Sequence, residues 1–254
     1  LMRSSAASDV YKRQMLVIGL GNHKGCSAVH EEAPEVFAGA IEETARLILQ
    51  KAPVGFGIAI LENAYDKTYA VEAVPAEHLV EREKELVQIA KGNMPYIMLD
   101  EADVIVCGAI GKDISGAGFD PNILGRSSVL KQFVLHIPRY QRLVLCDVTP
   151  ASHGNGIGVG LFDVITKKVA EQLDLESMYA NAIACNCLGD ASVPCTVDDE
   201  ETAIRVALKC CRNIDRDHPR IIRIQNTLHL GEIEVSEALL DAVRADSRMS
   251  LIEN

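Results

Sequence analysis

Residues 103–126 read DVIVCGAIGKDISGAGFDPNILGR, and this stretch decides the fold. Its opening, Asp103–Ala109, is a short apolar run rich in β-branched side chains, the pattern of a parallel strand covered on both faces. Arg142–Asp147 repeats the pattern, and Pro219–Gln225 reads as a third strand. Around them the apolar spacing predicts helices over Ile157–Leu173 and Asp199–Cys211, with Val235–Arg244 as a closing helix. Strands that alternate with helices predict an α/β fold.

Working towards the amino terminus, Glu35–Lys51 carries apolar residues at 36, 37, 40, 41, 45, 47, 48 and 49, one good helical face. Val54–Leu61 and Tyr69–Val74 predict two strands, joined through Glu62–Lys67 as a hairpin. Ala76–Lys91 predicts an amphipathic, glutamate-rich helix, and Met15–Leu20 a short strand. The character changes after Met94-Pro95, so a domain boundary is expected near residues 98–102, dividing 15–99 from 100–254. No internal repeat or low-complexity tract is present.

Residues 1–14, LMRSSAASDVYKRQ, have no apolar periodicity and no signal-peptide core. DVYKRQ looks like translated sequencing-adapter sequence, so the tail is expected to be non-native and to carry no fold information. The expectation that follows is a native chain beginning upstream of Met15.

The chain holds 36 acidic against 25 basic residues, a formal charge of −11. That balance argues against nucleic acid or an anionic membrane surface as the main partner. No apolar run approaches the ~20 residues needed to cross a bilayer, and a cytoplasmic protein is the expectation. Hydrophobic residues make up 48% of the sequence, enough for one large domain or two small ones. Eight cysteines occur without a C-x-x-C pair, which leaves a structural zinc site unsupported. Cys107 and Cys146 lie in apolar runs and read as core thiols. Cys185, Cys187 and Cys195 read as free thiols before they read as metal ligands.

The second half of the opening stretch is where chemistry is expected. Glycines at 111, 116 and 118 let the main chain approach a ligand closely. Lys112, Asp113, Ser115, Asp120, Asn122 and Arg126 supply charge and hydrogen-bonding groups, although an ordinary strand-to-helix loop is the competing reading. The segment is not a Walker loop: two residues rather than four separate Gly108 and Gly111, and Asp113 follows the lysine. Nucleoside-triphosphate hydrolysis is therefore excluded, while Lys112 remains suited to a substrate carboxylate.

Gly19-Leu20-Gly21-Asn22-His23-Lys24-Gly25 suggests a dinucleotide turn but departs from it in detail. Its third glycine comes one position late, and no acidic residue closes a second strand about twenty residues on. His23, Lys24 and His30 could instead bind a metal or a phosphorylated cofactor. His153, in Ser152–Gly158 beyond the strand ending at Asp147, is a further site candidate, with a plain surface turn as the alternative. His78, His136, His218 and His229 lack such context.

Taken together, MLVIGLGNHKGCSAVH (15–30), ENAYD (62–66) and Gly111–Arg126 resemble the nickel-pincer lactate racemase family, in particular its branch of isomerase-like proteins. Thr149–Gly160 and Arg220–Glu237 fit the same branch, so the resemblance spans nearly all of 15–242. It implies a two-domain α/β protein, here the rear part of a cofactor domain followed by a complete second α/β domain. It also implies a nickel-pincer nucleotide, a pyridinium mononucleotide whose two sulfur-bearing arms hold nickel through S, C and S. The implied reaction removes hydride from the carbinol carbon of a small 2-hydroxy acid and returns it to the other face.

Carried onto this chain, the resemblance places the nickel-ligating histidine at His30 and matches the Lys112 loop to the substrate side. Beside these, His23, Lys24, Asn122 and Arg126 are the candidates for the cofactor, and Lys112 and His153 those for catalysis. The family's cofactor-tethering lysine, counted back from His30, falls on adapter-like Gln14, and its two acid/base histidines fall further upstream. The chain as it stands is therefore expected to racemise nothing alone. Two other readings remain open: a nicotinamide-dependent oxidoreductase using Gly19–Gly25, and a non-catalytic protein that binds small anions. The sequence leaves the oligomeric state undetermined.

Overall fold

The computed structural model describes residues 34–62, 68–92, 94–130, 133 and 135–252. The strand expected at Met15–Leu20 and the candidates His23, Lys24 and His30 lie outside the described residues. The chain falls into two compact units, one running to Pro95 with Ala184–Asn186, the other Tyr96–Ile183 with Cys187–Asn254.

In the first unit, α1 (Pro34–Lys51) is followed by β1 (Phe56–Glu62), β2 (Thr68–Pro75) and α2 (Leu79–Gly92). The two strands pair antiparallel with Ile58 opposite Ala73 and Ile60 opposite Val71. Alternation along a strand sends successive side chains to opposite faces. Leu61, Ala59 and Ala70 accordingly meet Leu86 of α2, while Phe56, Ile58, Ile60, Tyr69 and Val71 are exposed. Ala45 and Val80 seat α1 on α2, with Ile41 and Leu49 packed around them.

The second unit is built on a six-stranded sheet. Its strands are β3 (Val104–Cys107), β4 (Arg142–Leu145), β5 (Val164–Thr166), β6 (Cys195–Val197), β7 (Ile221–Ile224) and β8 (Glu234–Val235). Their spatial order is β6-β5-β4-β3-β7-β8, parallel throughout except for β8. Every residue of β3 is fully buried, as its unbroken apolar sequence requires of a central strand.

One face of this sheet presents Val104, Val106, Val144 and Val164 to Ala203, Ala207 and Cys211. These partners come from or directly follow α6 (Glu200–Lys209). Asp199 caps that helix by accepting the backbone N–H of Thr202, an interaction worth about 1 kcal/mol. The α/β architecture expected from the sequence is thus observed.

Two expected helices are corrected. Ile157–Leu173 is not one helix: a single 3-10 turn at Val159–Leu161 leads into β5, and only α4 (Lys167–Gln172) is helical. The Val164-Ile165-Thr166 triplet is β-branched and entirely buried between β4 and β6, a position that favours a strand. Gly158 forbids the helix as well. Its φ is +96°, and a Cβ there would lie 2.3 Å from the carbonyl oxygen of Ala117.

The closing helix also starts later than expected, as a 3-10 turn at Glu237–Leu239 and then α7 (Leu240–Ala245). Glu234 and Val235 instead extend along β7. Ser236 fixes this course by accepting the N–H of Ile221 at 2.9 Å and donating to the carbonyl of Pro219 at 2.7 Å. Helix α5 (Leu175–Ala184) and strand β6 carried no expectation of their own.

Candidate ligand site at the sheet switch point

From β3 the chain builds outward through β4, β5 and β6, then crosses to the other side of β3 to form β7. The order reverses between β3 and β7, and in open parallel sheets ligands collect beyond the carboxyl ends of the strands at such a point. The loop leaving β3 begins there. Gly108 donates to the carbonyl of Ile224 at 2.9 Å and Ala109 to that of Gln225 at 3.0 Å, so the β3 and β7 ends stay joined. Ile110 then turns towards β4, donating to Asp147 O at 3.2 Å and accepting from Thr149 at 2.8 Å.

Residues 111–118 close into a compact turn. Gly111 donates to Gly118 O at 2.7 Å, and the N–H groups of Ile114 and Ser115 return to Gly111 O at 3.0 Å. The turn is held by hydroxyls of the next loop. Ser152 Oγ accepts the backbone N–H of Lys112 at 2.8 Å and lies 2.9 Å from Thr149 Oγ1, which also bonds the Asp113 carboxylate. Gly111 has to be glycine here, because a Cβ would fall 2.0 Å from Thr149 Oγ1 and 2.7 Å from Ser152 Oγ. The Lys112 ammonium donates to Gly116 O at 2.7 Å, which keeps it over its own loop.

The remainder of the stretch separates the other candidates. Asp120 caps the four-residue helix α3 (Pro121–Leu124), accepting the backbone N–H of Asn122 at 2.9 Å and its side-chain amide at 3.2 Å. The Asp120 N–H in turn donates to the hydroxyl of Thr227, just past β7, at 2.9 Å. Asp120 and Asn122 are therefore tied to the switch point.

Arg126 is not. Its guanidinium donates to Leu161 O at 2.8 Å and to Asp163 Oδ2 at 2.6 Å, and stacks 5.3 Å from the Tyr140 ring centroid. Asp163 Oδ2 also accepts the N–H of Leu143, near the amino end of β4. The ion pair thus stands at the end of the sheet opposite the Lys112 loop. Burial in this cluster pushes the Tyr140 phenol up to about 12.

His153 follows the 3-10 turn Pro150–Ser152 in a left-handed conformation, φ 48°, and is exposed. Its neighbour Ser152 bonds Lys112, so the fold brings these two expected residues to the carboxyl ends of adjacent strands. Sequence reasoning named Asp113 but missed the hydroxyls of neighbouring loops that organise the turn, those of Thr149, Ser152 and Thr227. The one signal available was position, since Thr149 and Thr227 each follow a recognisable strand by a few residues.

Cys107 is buried and Cys146 half-buried, and the surroundings of both hold the thiol protonated. Burial pushes Cys107 up to about 12 and Cys146 still higher, the neighbouring Glu200 adding to the second shift. Among the described residues no three His, Cys, Asp or Glu side chains gather to hold a metal ion. No described helix is long and apolar enough to cross a membrane.

The fold and loop define an open α/β domain with a polar, hydroxyl-rich loop cluster at its switch point. Compared with models of protein families, with curated proteins and with solved structures, the chain matches none.

Proposed function

We propose that this chain is part of a nickel-pincer-dependent racemase or epimerase acting on a small 2-hydroxy acid, whose carboxylate is held by the Lys112 loop. One observation carries the reading: the loop that carries Lys112 is held through its backbone by a net of hydroxyls where the sheet order reverses. The Gly111–Arg126 resemblance supplies the reaction class.

The groups present are an ammonium, two hydroxyls, a carboxylate and backbone amides. They suit the oxygen-rich end of a ligand, a carboxylate or a phosphate, and they leave nickel to an imidazole. On this reading His30 would ligate the metal, with His23 and Lys24 on the nucleotide. When bound, the cofactor supplies a hydride acceptor. Lys112 neutralises and orients the substrate carboxylate, and the Thr149–Ser152 hydroxyls fix the loop that carries it. Asn122 borders the same site through Asp120. A non-catalytic anion-binding protein would use the same loop and lack only turnover.

The test is a titration of the 254-residue chain with lactate, followed by backbone amide shifts. Saturable shifts confined to residues 111–118 and 149–153, abolished in Lys112→Ala, are expected. Shifts at residues 19–25 with NAD and none with lactate would favour the nicotinamide reading instead.

A further inference from the structure

The loop after β7 carries a histidine whose proton position the geometry fixes. Asn226 is 6% exposed, and its Oδ1 accepts the backbone N–H groups of Leu228 and His229, each at 2.9 Å. Backbone amides can only donate, so the side-chain atom facing them is the amide oxygen rather than its nitrogen. The same oxygen lies 3.0 Å from His229 Nδ1. An amide oxygen brings no proton to that contact, so Nδ1 must. The neutral ring therefore carries its lone pair on Nε2.

Three further observations give that lone pair a place to act. His229 is exposed, so a ligand can reach its ring. The loop is locked to the one bearing Lys112, through Thr227 Oγ1 and the N–H of Asp120 at 2.9 Å, with Thr227 3% exposed. Both loops leave the strands that flank the switch point. The other described histidines lack this combination. His136 lies 3.2 Å from Leu99 O and 3.3 Å from Asp100, before β3. The His153 ring makes no hydrogen bond among the described residues.

We propose that His229 is a specificity-determining residue of this site: its Nε2 accepts a hydrogen bond from a hydroxyl on the anion held by the Lys112 loop. The inference rests on the 2-hydroxy-acid reading above and adds to it the residue that recognises the hydroxyl. The site takes carboxylates bearing a nearby hydroxyl and discriminates against those without one. A site that offers an acceptor loses that bond when the ligand brings no donor.

The test compares two probes of nearly equal size, lactate and propionate, on the full 254-residue chain. Lactate is expected to bind about tenfold more tightly, the value of one hydrogen bond. His229→Leu should bring the two affinities together, mainly by weakening lactate. Long-range 1H–15N spectra of histidine-labelled protein should show a protonated Nδ1 and a bare Nε2 at His229. That pattern should persist in Asn226→Asp, which keeps the acceptor oxygen, and the Nε2 signal should move with lactate.

Equal affinity for lactate and propionate in the unmodified protein would overturn the proposal and leave the anion site standing. So would a ring protonated at Nε2. Binding of neither acid would overturn both readings together.

Discussion

Ser152 Oγ accepts the backbone N–H of Lys112 at 2.8 Å, joining the loops after β3 and β4 across forty positions of sequence. The hydroxyl is buried and lies 2.9 Å from Thr149 Oγ1. The orientation of the Lys112 loop is therefore set by a residue of another loop.

Ser152→Ala should lower stability by about 1–2 kcal/mol, because a backbone donor loses its partner in a buried place. Lactate affinity should fall by more than the lost stability explains, since the folded molecules hold Lys112 less firmly. Urea denaturation together with a lactate titration separates the two effects.

Asp103→Ala should lower stability and leave ligand affinity alone. Asp103 is 1% exposed and accepts Arg220 twice, from its backbone N–H at 2.8 Å and its guanidinium at 2.9 Å. Removing it leaves the backbone N–H of Arg220 without its acceptor, while the half-exposed guanidinium keeps Glu101, and should cost about 1–3 kcal/mol. These residues precede β3 and β7, so ligand affinity of the protein that remains folded should not change. A lower urea midpoint with an unaltered lactate titration is the expected pair of results.

Two thiols, Cys107 and Cys146, predict a pH dependence of stability. Cys107 has an ordinary value of 9.0 and a folded value of about 12, raised by burial. Below pH 9 it is protonated in both states and its contribution is fully present. Above pH 9 the unfolded chain loses the proton while the folded chain keeps it, so stability falls until about pH 12. Cys146 acts in the same direction. Urea midpoints should drop between pH 8.5 and 10.5, and less steeply in Cys107→Ala. Iodoacetamide at pH 8 should modify exposed Cys195 and Cys210 well before either core thiol.

His30→Ala should abolish nickel retention in a full-length protein charged with the pincer nucleotide, as read by metal analysis after desalting. Undiminished nickel would remove His30 from the site. The 254-residue chain by itself should not interconvert the two lactates, which chiral chromatography can check.

The strands that were legible in the sequence share one property. Val104–Cys107, Arg142–Leu145 and Ile221–Ile224 are short and mostly apolar, because the middle of a parallel sheet is covered on both sides. Edge strand β6 left no such mark: Cys195 and Thr196 are exposed and need not be apolar. Within 157–173 apolar residues recur often enough to imitate a helical face, and the Val164–Thr166 triplet was read as part of it. The triplet's β-branched composition argued otherwise, and so does Gly158, through a contact with Ala117 forty-one positions away.

The candidate site was legible by position more than by partnership. The loop was marked by its glycines and Lys112, yet the pairing of Arg126 with Asp163 has no spacing signal and placed that arginine at the other end of the sheet. Thr149 and Ser152 were equally silent. A hydroxyl in a polar loop is common, and only the folded geometry distinguishes the one that bonds Lys112. His229 was passed over for the same reason, since its role depends on which way Asn226 faces.

Gly118 and Gly158 each stand against the backbone of the other's loop, Gly118 beside Ile157 O and Gly158 beside Ala117 O. The two segments are consequently interlocked main chain to main chain, with no side chain whose trimming could relieve a misfit. Evolution can revise such a joint only by changing both loops at once. Grafting the Lys112 loop alone onto another α/β scaffold should fail, whereas transplanting 108–126 together with 147–161 moves the joint intact.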